Sequence, residues 1–254
     1  EIDMPGHTNA ALASYPELNC NDSATKLYTG TEVGFSSLCT KKDITYKFID
    51  DIIRELASLT PGPYIHIGGD ESHATKIEDY IPFVARVQEI VTKHGKLVIG
   101  WDEIALSTLL PNSVAQYWAD SANSKNAVKQ GAKIIMSPAN RSYMDMQYDS
   151  TTRLGLHWAA YIEVDQAYNW NPATLVNGIE RKDIVGVEAP LWSETIVTMN
   201  DIEYMAFPRL PGYAEIAWSP VAGRSWDEYK VRLGNHAAQM KAMDIDYYPS
   251  KLVN

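Results

Sequence analysis

Short apolar runs rich in β-branched residues alternate along this chain with longer segments in which apolar residues recur at helical spacing. The clearest helical segment begins at Asp43 and ends before the break formed by Pro61, Gly62 and Pro63. Its apolar positions recur about every 3.6 residues and are Ile44, Phe48, Ile52, Leu56 and Leu59. Alternation of this kind predicts a parallel α/β protein.

The pattern predicts five complete strands and the end of a sixth. The segments cover residues 1–4, where a strand would end, and 64–67, 96–100, 113–118, 133–136 and 184–188. Further helices are expected around 83–91, over 123–130 and over 229–243, with long loop regions over 5–42 and 137–182. No internal repeat or linker interrupts the pattern, so we expect a single, partial barrel domain over residues 1–254.

Residues suited to chemistry follow the predicted strands one after another. They are Asp3 and His7, Asp70 and Glu71, Trp101, Trp118, Tyr143 and Asp145, and Trp192 and Glu194. A (β/α)8 barrel builds its active site from many strand-end loops, whereas an open doubly wound sheet gathers its ligand at one switch point. The sequence therefore predicts a TIM-type (β/α)8 barrel. This chain would supply roughly the end of strand 3 through strand 8 and the C-terminal helices, and we expect the earlier strands to precede residue 1.

Composition limits the class of partner. The net charge of -10 argues against nucleic acid and anionic membranes, and it fits a neutral substrate. The chain has 7 Trp and 15 Tyr but 4 Phe. Trp and Tyr suit wet clefts such as sugar sites, although ordinary core and surface aromatics would explain the same counts. No apolar stretch approaches the roughly 18 residues of a membrane span.

The two cysteines, Cys20 and Cys39, lie in a stretch rich in Ser, Thr and Asn. They would form either a disulfide that closes a long loop or two buried free thiols. We expect the disulfide, which would place the protein in an oxidising compartment. The corresponding expectation is a secreted or otherwise extracytoplasmic protein, lysosomal if the organism is eukaryotic.

The strongest local motif is His66-Ile67-Gly68-Gly69-Asp70-Glu71, at the end of a predicted strand. Glycines allow a close approach of backbone and ligand. Two adjacent carboxylates are unfavourable neighbours unless their roles differ, and a carboxyl with a raised pKa in a cleft can serve as a general acid. A solvated acidic turn would explain a bare Asp-Glu pair, but the preceding glycines and strand favour a catalytic function.

Four blocks of this chain resemble glycoside hydrolase family 20, the β-N-acetylhexosaminidases, and they occur in the order of that family. The blocks are Asp3-Met4-Pro5-Gly6-His7, His66 to Glu71, Gly100-Trp101-Asp102-Glu103 and Leu191-Trp192-Ser193-Glu194. The resemblance extends over essentially the whole chain. It implies a retaining exo-acting enzyme that removes terminal non-reducing GlcNAc or GalNAc, for example from chitin oligomers, with the 2-acetamido group of the substrate as nucleophile.

The resemblance also implies roles for individual residues. Glu71 would be the general acid/base, Asp70 would orient the acetamido group, and Tyr143 would donate its hydroxyl to the acetamido oxygen. His7 would tune the catalytic acid. The remaining implied substrate-binding residues are Trp101, Trp118 and Trp192 around the acetamido methyl group, Trp158 on a sugar face, and Asp145 and Glu194 on sugar hydroxyls. We expect no cofactor and no metal, and the sequence does not indicate an oligomeric state.

Three other hypotheses remain open at this level. The first is that the chain is a catalytically inactive sugar-binding remnant of the same barrel. The second is that it is a member of the family that releases disaccharides, as a lacto-N-biosidase does. A metal-dependent hydrolase is the third, because His7, His66, Asp70 and Glu71 could cluster around an ion. The intact Asp70-Glu71 pair argues against the first hypothesis, and the absence of a His-x-His or His-Glu-x-x-His spacing argues against the third.

Overall fold

All five complete strands expected from the apolar runs are present in the computed structural model, which describes residues 1–253. They are β1 (Tyr64–His66), β2 (Leu97–Trp101), β3 (Val114–Tyr117), β4 (Lys133–Met136) and β5 (Ile184–Val187). The chain divides by its internal packing into two compact units, Glu1–Ile134 and Ile135–Asn254. Strand β4 lies across the boundary between them.

The strands form a sheet whose order follows the chain from β1 to β5. β1, β2 and β3 are parallel neighbours, with Tyr64 opposite Leu97 and Ile99 opposite Val114. Because the strands of this part of the sheet run in one direction, their carboxyl ends lie at the same edge. The residues that follow β1, β2 and β3 therefore meet at that edge of the first unit.

The first unit contains four α-helices, of which the third packs against β2 and the fourth against β3. They are α1 (Asn9–Ser14), α2 (Asp43–Leu59), α3 (Ile77–Lys93) and α4 (Ser121–Lys129). The helix predicted from Asp43 is α2, and its buried face includes Ile49 and Ile53. It packs against α3 through the rings of Tyr46 and Phe83, whose centroids are 5.7 Å apart. The period of the apolar residues thus places both helices correctly.

The second unit is mainly helical, and its buried centre is rich in tyrosine. Its helices are α5 (Ala139–Ser142), α6 (Val164–Tyr168), α7 (Pro172–Leu175), α8 (Met199–Ala206), α9 (Leu210–Trp218) and α10 (Trp226–Ala242). Tyr168 of α6 stacks on Tyr229 of α10 at a centroid distance of 4.1 Å. Tyr148 stacks on Tyr248 at 3.9 Å. None of the helices in residues 1–253 is both long and apolar enough to cross a membrane.

Two expectations about the backbone are wrong in detail. Residues 1–4 are not a strand, although the amide of Ile2 donates to the carbonyl of His66 at 3.0 Å as a strand residue would. The regions expected to be loops contain short helices, namely α1, α5, α6 and α7 and the 3-10 helices Pro16–Leu18 and Arg181–Asp183. Helices of one or two turns contain too few apolar positions to show a period.

The predicted disulfide between Cys20 and Cys39 is present. Cys20 is exposed and Cys39 is buried. The amide of Cys39 donates to the carbonyl of Leu18 at 2.9 Å, and the hydroxyl of Thr45 donates to the carbonyl of Cys39 at 2.8 Å. The bridge therefore joins an exposed loop to the start of α2.

Replacing both cysteines, Cys20→Ser with Cys39→Ser, should lower the free energy of unfolding by about 3 kcal/mol, because the unfolded chain regains the entropy of an open loop. Urea denaturation would measure the change. The single variant Cys20→Ser serves as the control, since it already removes the bridge and should lose a similar amount. Equal midpoints for the parent and the double variant would contradict a stabilising bridge.

Candidate active site

The turn after β1 requires glycine at two successive positions. Gly68 has a φ of +66° and Gly69 a φ of +105°. A Cβ atom on Gly68 would lie 1.8 Å from Oδ1 of Asp3. Glu71 has a φ of +44°, a left-handed conformation that is unfavourable for a residue with a side chain and is typical of functional sites. The two glycines and this strained residue turn the chain sharply at the end of β1.

Hydrogen bonds hold both polar groups of Gly69. Its amide donates to Oδ1 of Asp3 at 3.0 Å, and its carbonyl accepts from the hydroxyl of Tyr80 at 2.7 Å. Tyr80 is buried on α3. The sequence reasoning missed Tyr80, because a tyrosine on the apolar face of a helix is indistinguishable from an ordinary core residue. The turn that carries Asp70 and Glu71 is thus fixed from two separate segments.

His7 lies between the two carboxylates of the motif. Its Nε2 is 3.4 Å from Oδ2 of Asp70, 3.3 Å from Oε2 of Glu71 and 3.8 Å from Oδ2 of Asp3. Hydrogen bonding to Asp70 and Glu71 raises the pKa of His7 to about 10, against the opposing effect of burial. The imidazole therefore carries a positive charge at neutral pH. The structure brings together three of the predicted residues, His7, Asp70 and Glu71.

Asp3 completes this cluster. Burial, together with the nearby charge of Asp70, raises the pKa of Asp3 to about 9, so its carboxyl group is protonated at neutral pH. Metal-ligating atoms of Asp3, His7 and Asp70 lie within 4.8 Å of one another. A metal ion bound there would have to displace the protons of His7 and Asp3. The Nδ1 atom of His66, the other histidine of the metal hypothesis, accepts the amide of Gly68 at 3.1 Å.

Trp101 and Trp118 lie at the ends of neighbouring strands, and each donates its indole N–H to the carboxyl group of a glutamate. Trp101 is buried at the end of β2, and its Nε1 is 2.8 Å from Oε1 of Glu1. Trp118 follows β3 and is partly buried. Its Nε1 lies 3.2 and 3.1 Å from the two carboxylate oxygens of Glu103. Both predicted tryptophans are therefore at the sheet edge where β1 also ends.

In the second unit, three predicted aromatic residues lie together. Tyr143 is buried, and its ring meets Trp158 edge-on at 6.0 Å and Trp192 at 6.1 Å. Trp158 and Trp192 are exposed. Tyr143 therefore contacts both of these exposed tryptophans.

Asp145 is nearly inaccessible to solvent, with 2% of its surface exposed, whereas Glu194 is exposed. Burial raises the pKa of Asp145 to about 6, and the charge of Glu194 adds to this effect. Backbone amides and the charge of Arg209 oppose it. A desolvated carboxylate of this kind makes strong hydrogen bonds to a polar ligand.

The backbone around Asp145 is held by Arg209, which the sequence reasoning also missed. This arginine is completely buried, and its guanidinium lies 3.8 Å from the centre of the Tyr148 ring. It donates four hydrogen bonds, to the carbonyls of Met144, Met146, Ile162 and Met205. Two of these acceptors flank Asp145. Arginine usually lies at the surface, so no sequence pattern indicates this role.

Replacing Arg209 by lysine should lower the free energy of unfolding by about 2 to 3 kcal/mol, because one ammonium group cannot serve four buried carbonyls in place of a planar guanidinium. Chemical denaturation would measure this loss. Arg54→Lys, at an exposed position of α2, is the matched control and should be neutral. A stable Arg209→Lys protein would show that the four hydrogen bonds contribute little.

His7 should make stability dependent on pH. The folded protein holds the His7 proton more tightly than the unfolded chain, whose histidine has a pKa of about 6.5. The stabilising contribution is therefore complete below that pH and is lost as the pH rises toward about 10. Between about pH 7 and pH 9, the free energy of unfolding should fall less steeply in His7→Gln than in the parent.

Urea denaturation at several pH values would measure both slopes. His236→Gln, an exposed histidine of α10, is the matched control and should retain the parent slope. Parallel curves for the parent and His7→Gln would refute the raised pKa of His7.

Comparison with known proteins identifies the family. The profile of the catalytic domain of glycosyl hydrolase family 20 matches residues 1–80 and 72–221. The chain is 43% identical over 257 positions to a β-N-acetylhexosaminidase of Cellulomonas fimi, covering 100% of this chain and 52% of that protein. It is 31% identical to a β-hexosaminidase of Porphyromonas gingivalis, covering 98% of this chain and 35% of that protein.

Solved structures agree with this similarity. The family 20 β-N-acetylhexosaminidase of Streptomyces coelicolor A3(2) superposes with a TM-score of 0.97 at 51% identity, covering 99% of this chain and 52% of that one. A mutant β-hexosaminidase of Streptomyces plicatus in complex with the product GlcNAc gives a TM-score of 0.97 at 52% identity, with the same coverage. The chain spans about half the length of these proteins, and the predicted TIM-barrel fold class is confirmed. This chain belongs to glycosyl hydrolase family 20, within the catalytic domain.

Proposed function

We propose that this protein is a retaining exo-β-N-acetylhexosaminidase that removes terminal non-reducing GlcNAc or GalNAc from oligosaccharides. The observation that carries this proposal is the position of His7 within 3.4 Å of Asp70 and 3.3 Å of Glu71, on a turn that two glycines and a strained Glu71 define. Two adjacent carboxylates that share one charged histidine are suited to separate roles in a single reaction.

Glu71 is the general acid/base in this proposal. In the first step it gives its proton to the glycosidic oxygen as the bond from that oxygen to C1 breaks. In the second step it takes a proton from the water that attacks C1. The positive charge of His7 stabilises the Asp70 carboxylate and the carboxylate that Glu71 becomes once it has given up its proton. Its two contacts also hold both carboxylates in place, as catalysis by positioned groups requires.

The nucleophile is the substrate's own 2-acetamido carbonyl oxygen, which attacks C1 and forms an oxazolinium intermediate. Water then opens this ring from the opposite face, so the configuration at C1 is retained. Asp70 accepts the acetamido N–H and stabilises the positive charge that develops there. We assign to Tyr143 the donation of a hydroxyl hydrogen bond to the acetamido oxygen, on the strength of the family resemblance.

The substrate-binding roles of the other predicted residues stay as the resemblance implies. Trp101, Trp118 and Trp192 would enclose the acetamido methyl group, and Trp158 would stack on a sugar face. Asp145 and Glu194 would accept hydrogen bonds from sugar hydroxyls. The complexes of the Streptomyces plicatus enzyme with GlcNAc and with thio-NAglucal support a small N-acetylamino sugar as the ligand.

We also propose an extracytoplasmic location. The disulfide between Cys20 and Cys39 supports it, because disulfides persist mainly in oxidising compartments. A net charge of -10 suits an enzyme whose substrate is a neutral glycan.

The test is turnover of p-nitrophenyl N-acetyl-β-glucosaminide by the parent, Glu71→Gln and Asp70→Asn. Each variant should lose about 100-fold or more in kcat, since each removes a proton-transfer group or a charge that the transition state needs. Glu71→Gln should lose still more with chitobiose, whose leaving group requires protonation. Asp70→Asn should not show that dependence on the leaving group.

Glu78→Gln, an exposed acid of α3, is the control and should match the parent. p-Nitrophenyl β-glucoside, which lacks the acetamido group, should not be hydrolysed. Equal turnover by the parent and both variants would refute the proposal, and so would hydrolysis of the plain glucoside.

A further inference from the structure

The catalytic assignments leave two adjacent acidic residues unused, Asp102 and Glu103, which follow β2. Burial, reinforced by the charge of Asp102, raises the pKa of Glu103 to about 8. Burial raises the pKa of Asp102 to about 6. Two desolvated acids side by side destabilise a fold, and such pairs occur most often where function requires them.

Both acids contact the same residue, Trp118. Oδ2 of Asp102 accepts the backbone amide of Trp118 at 3.2 Å, and Oδ1 accepts the side-chain amide of Asn123 at 3.1 Å. The carboxyl group of Glu103 accepts the indole N–H of Trp118, with both oxygens within hydrogen-bond distance. Asp102 thus fixes the backbone of Trp118, and Glu103 fixes its side chain.

Glu103 also borders the catalytic turn. A cavity of about 170 Å³ is lined by Glu103 together with Gly69, Glu71 and Tyr80. The charge of Asp70 adds to the raised pKa of Glu103. The residue that accepts the indole N–H of Trp118 therefore also lines a cavity beside the turn that carries Asp70 and Glu71.

An indole ring has a single hydrogen-bond donor, so an acceptor at that atom determines how the ring plane is turned. A small rotation of an aromatic wall changes the space available to the group it encloses. We propose that Glu103 is a positioning residue that fixes the indole plane of Trp118 and thereby sets the size of N-acyl group that the site accepts. This inference rests on the proposed function, in which Trp118 encloses the acetamido methyl group.

The test compares p-nitrophenyl glucosaminides that carry an N-acetyl or an N-butanoyl group. Glu103→Ala should lower kcat/KM for the N-acetyl substrate about tenfold, the usual effect of losing one partly buried hydrogen bond. The N-butanoyl substrate should lose less, so the preference for N-acetyl should shrink. Glu103→Gln retains an acceptor oxygen and should keep the parent preference.

A double-mutant cycle with Trp118→Phe tests whether Glu103 acts through the indole N–H. Phenylalanine has no such donor, so adding Glu103→Ala to Trp118→Phe should change the substrate preference little further. If the effects of Glu103→Ala and Trp118→Phe on the preference simply add, the inference is wrong. It is also wrong if Glu103→Ala lowers kcat/KM for both substrates by the same factor.

The indole ¹H–¹⁵N resonance of Trp118, identified by its loss in Trp118→Phe, gives a readout that does not depend on activity. It should shift in Glu103→Ala and remain near its parent position in the control Glu78→Gln. An unshifted resonance in Glu103→Ala would overturn the inference. An active parent with an unchanged N-acyl preference in Glu103→Ala would overturn this inference alone, whereas an inactive parent would overturn the proposed function and the selectivity with it.

Discussion

The arrangement of the turn that carries Asp70 and Glu71 depends on the pair of hydrogen bonds on Gly69. Asp3 accepts the amide of Gly69, and Tyr80 donates to its carbonyl. Both Gly68 and Gly69 have a positive φ, and neighbouring atoms leave no room for a Cβ at either position. The segment that supplies Asp3 also supplies His7, four residues later. One short stretch of chain therefore both holds the turn and places a positive charge beside Asp70 and Glu71. The segment that positions the turn is therefore also the segment that supplies the positive charge beside the two carboxyl groups.

Buried polar groups also hold other residues to which we assign a role. Glu103 accepts the indole N–H of Trp118 in the first unit. In the second unit, Arg209 binds the carbonyls on either side of Asp145. In each case the supporting group contacts a residue to which we assign a role, and it does so through hydrogen bonds of defined direction. Apolar packing alone would leave these side chains free to rotate.

Two of the buried acids at these sites, Asp3 and Glu103, make stability depend on pH. Burial raises the pKa of Asp3 and Glu103, so both carboxyl groups resist ionisation at neutral pH. The acidic residues around Asp70 therefore carry fewer negative charges than their number implies. His7 has the opposite character, since its proton is retained because two carboxylates surround it. Together, the protonated Asp3 and the charged His7 let several acidic side chains lie close together in this cluster.

The strands, the long helices and the family can be predicted from the sequence, because each shows in the local spacing of apolar residues or in contiguous motifs. The disulfide between Cys20 and Cys39 was an expectation with free thiols as the alternative, and the structure confirms it. The apolar pattern of each strand, and the residues that directly follow it in the sequence, place Asp70 after β1 and Trp118 after β3 without reference to the rest of the chain. Only the tertiary structure decided which groups hold them. Asp3 and Gly69 are 66 residues apart, and Arg209 lies 63 residues from the Met146 carbonyl it binds. Such partners leave no local pattern, since a buried tyrosine, arginine or glutamate takes its role from the neighbours that folding brings to it.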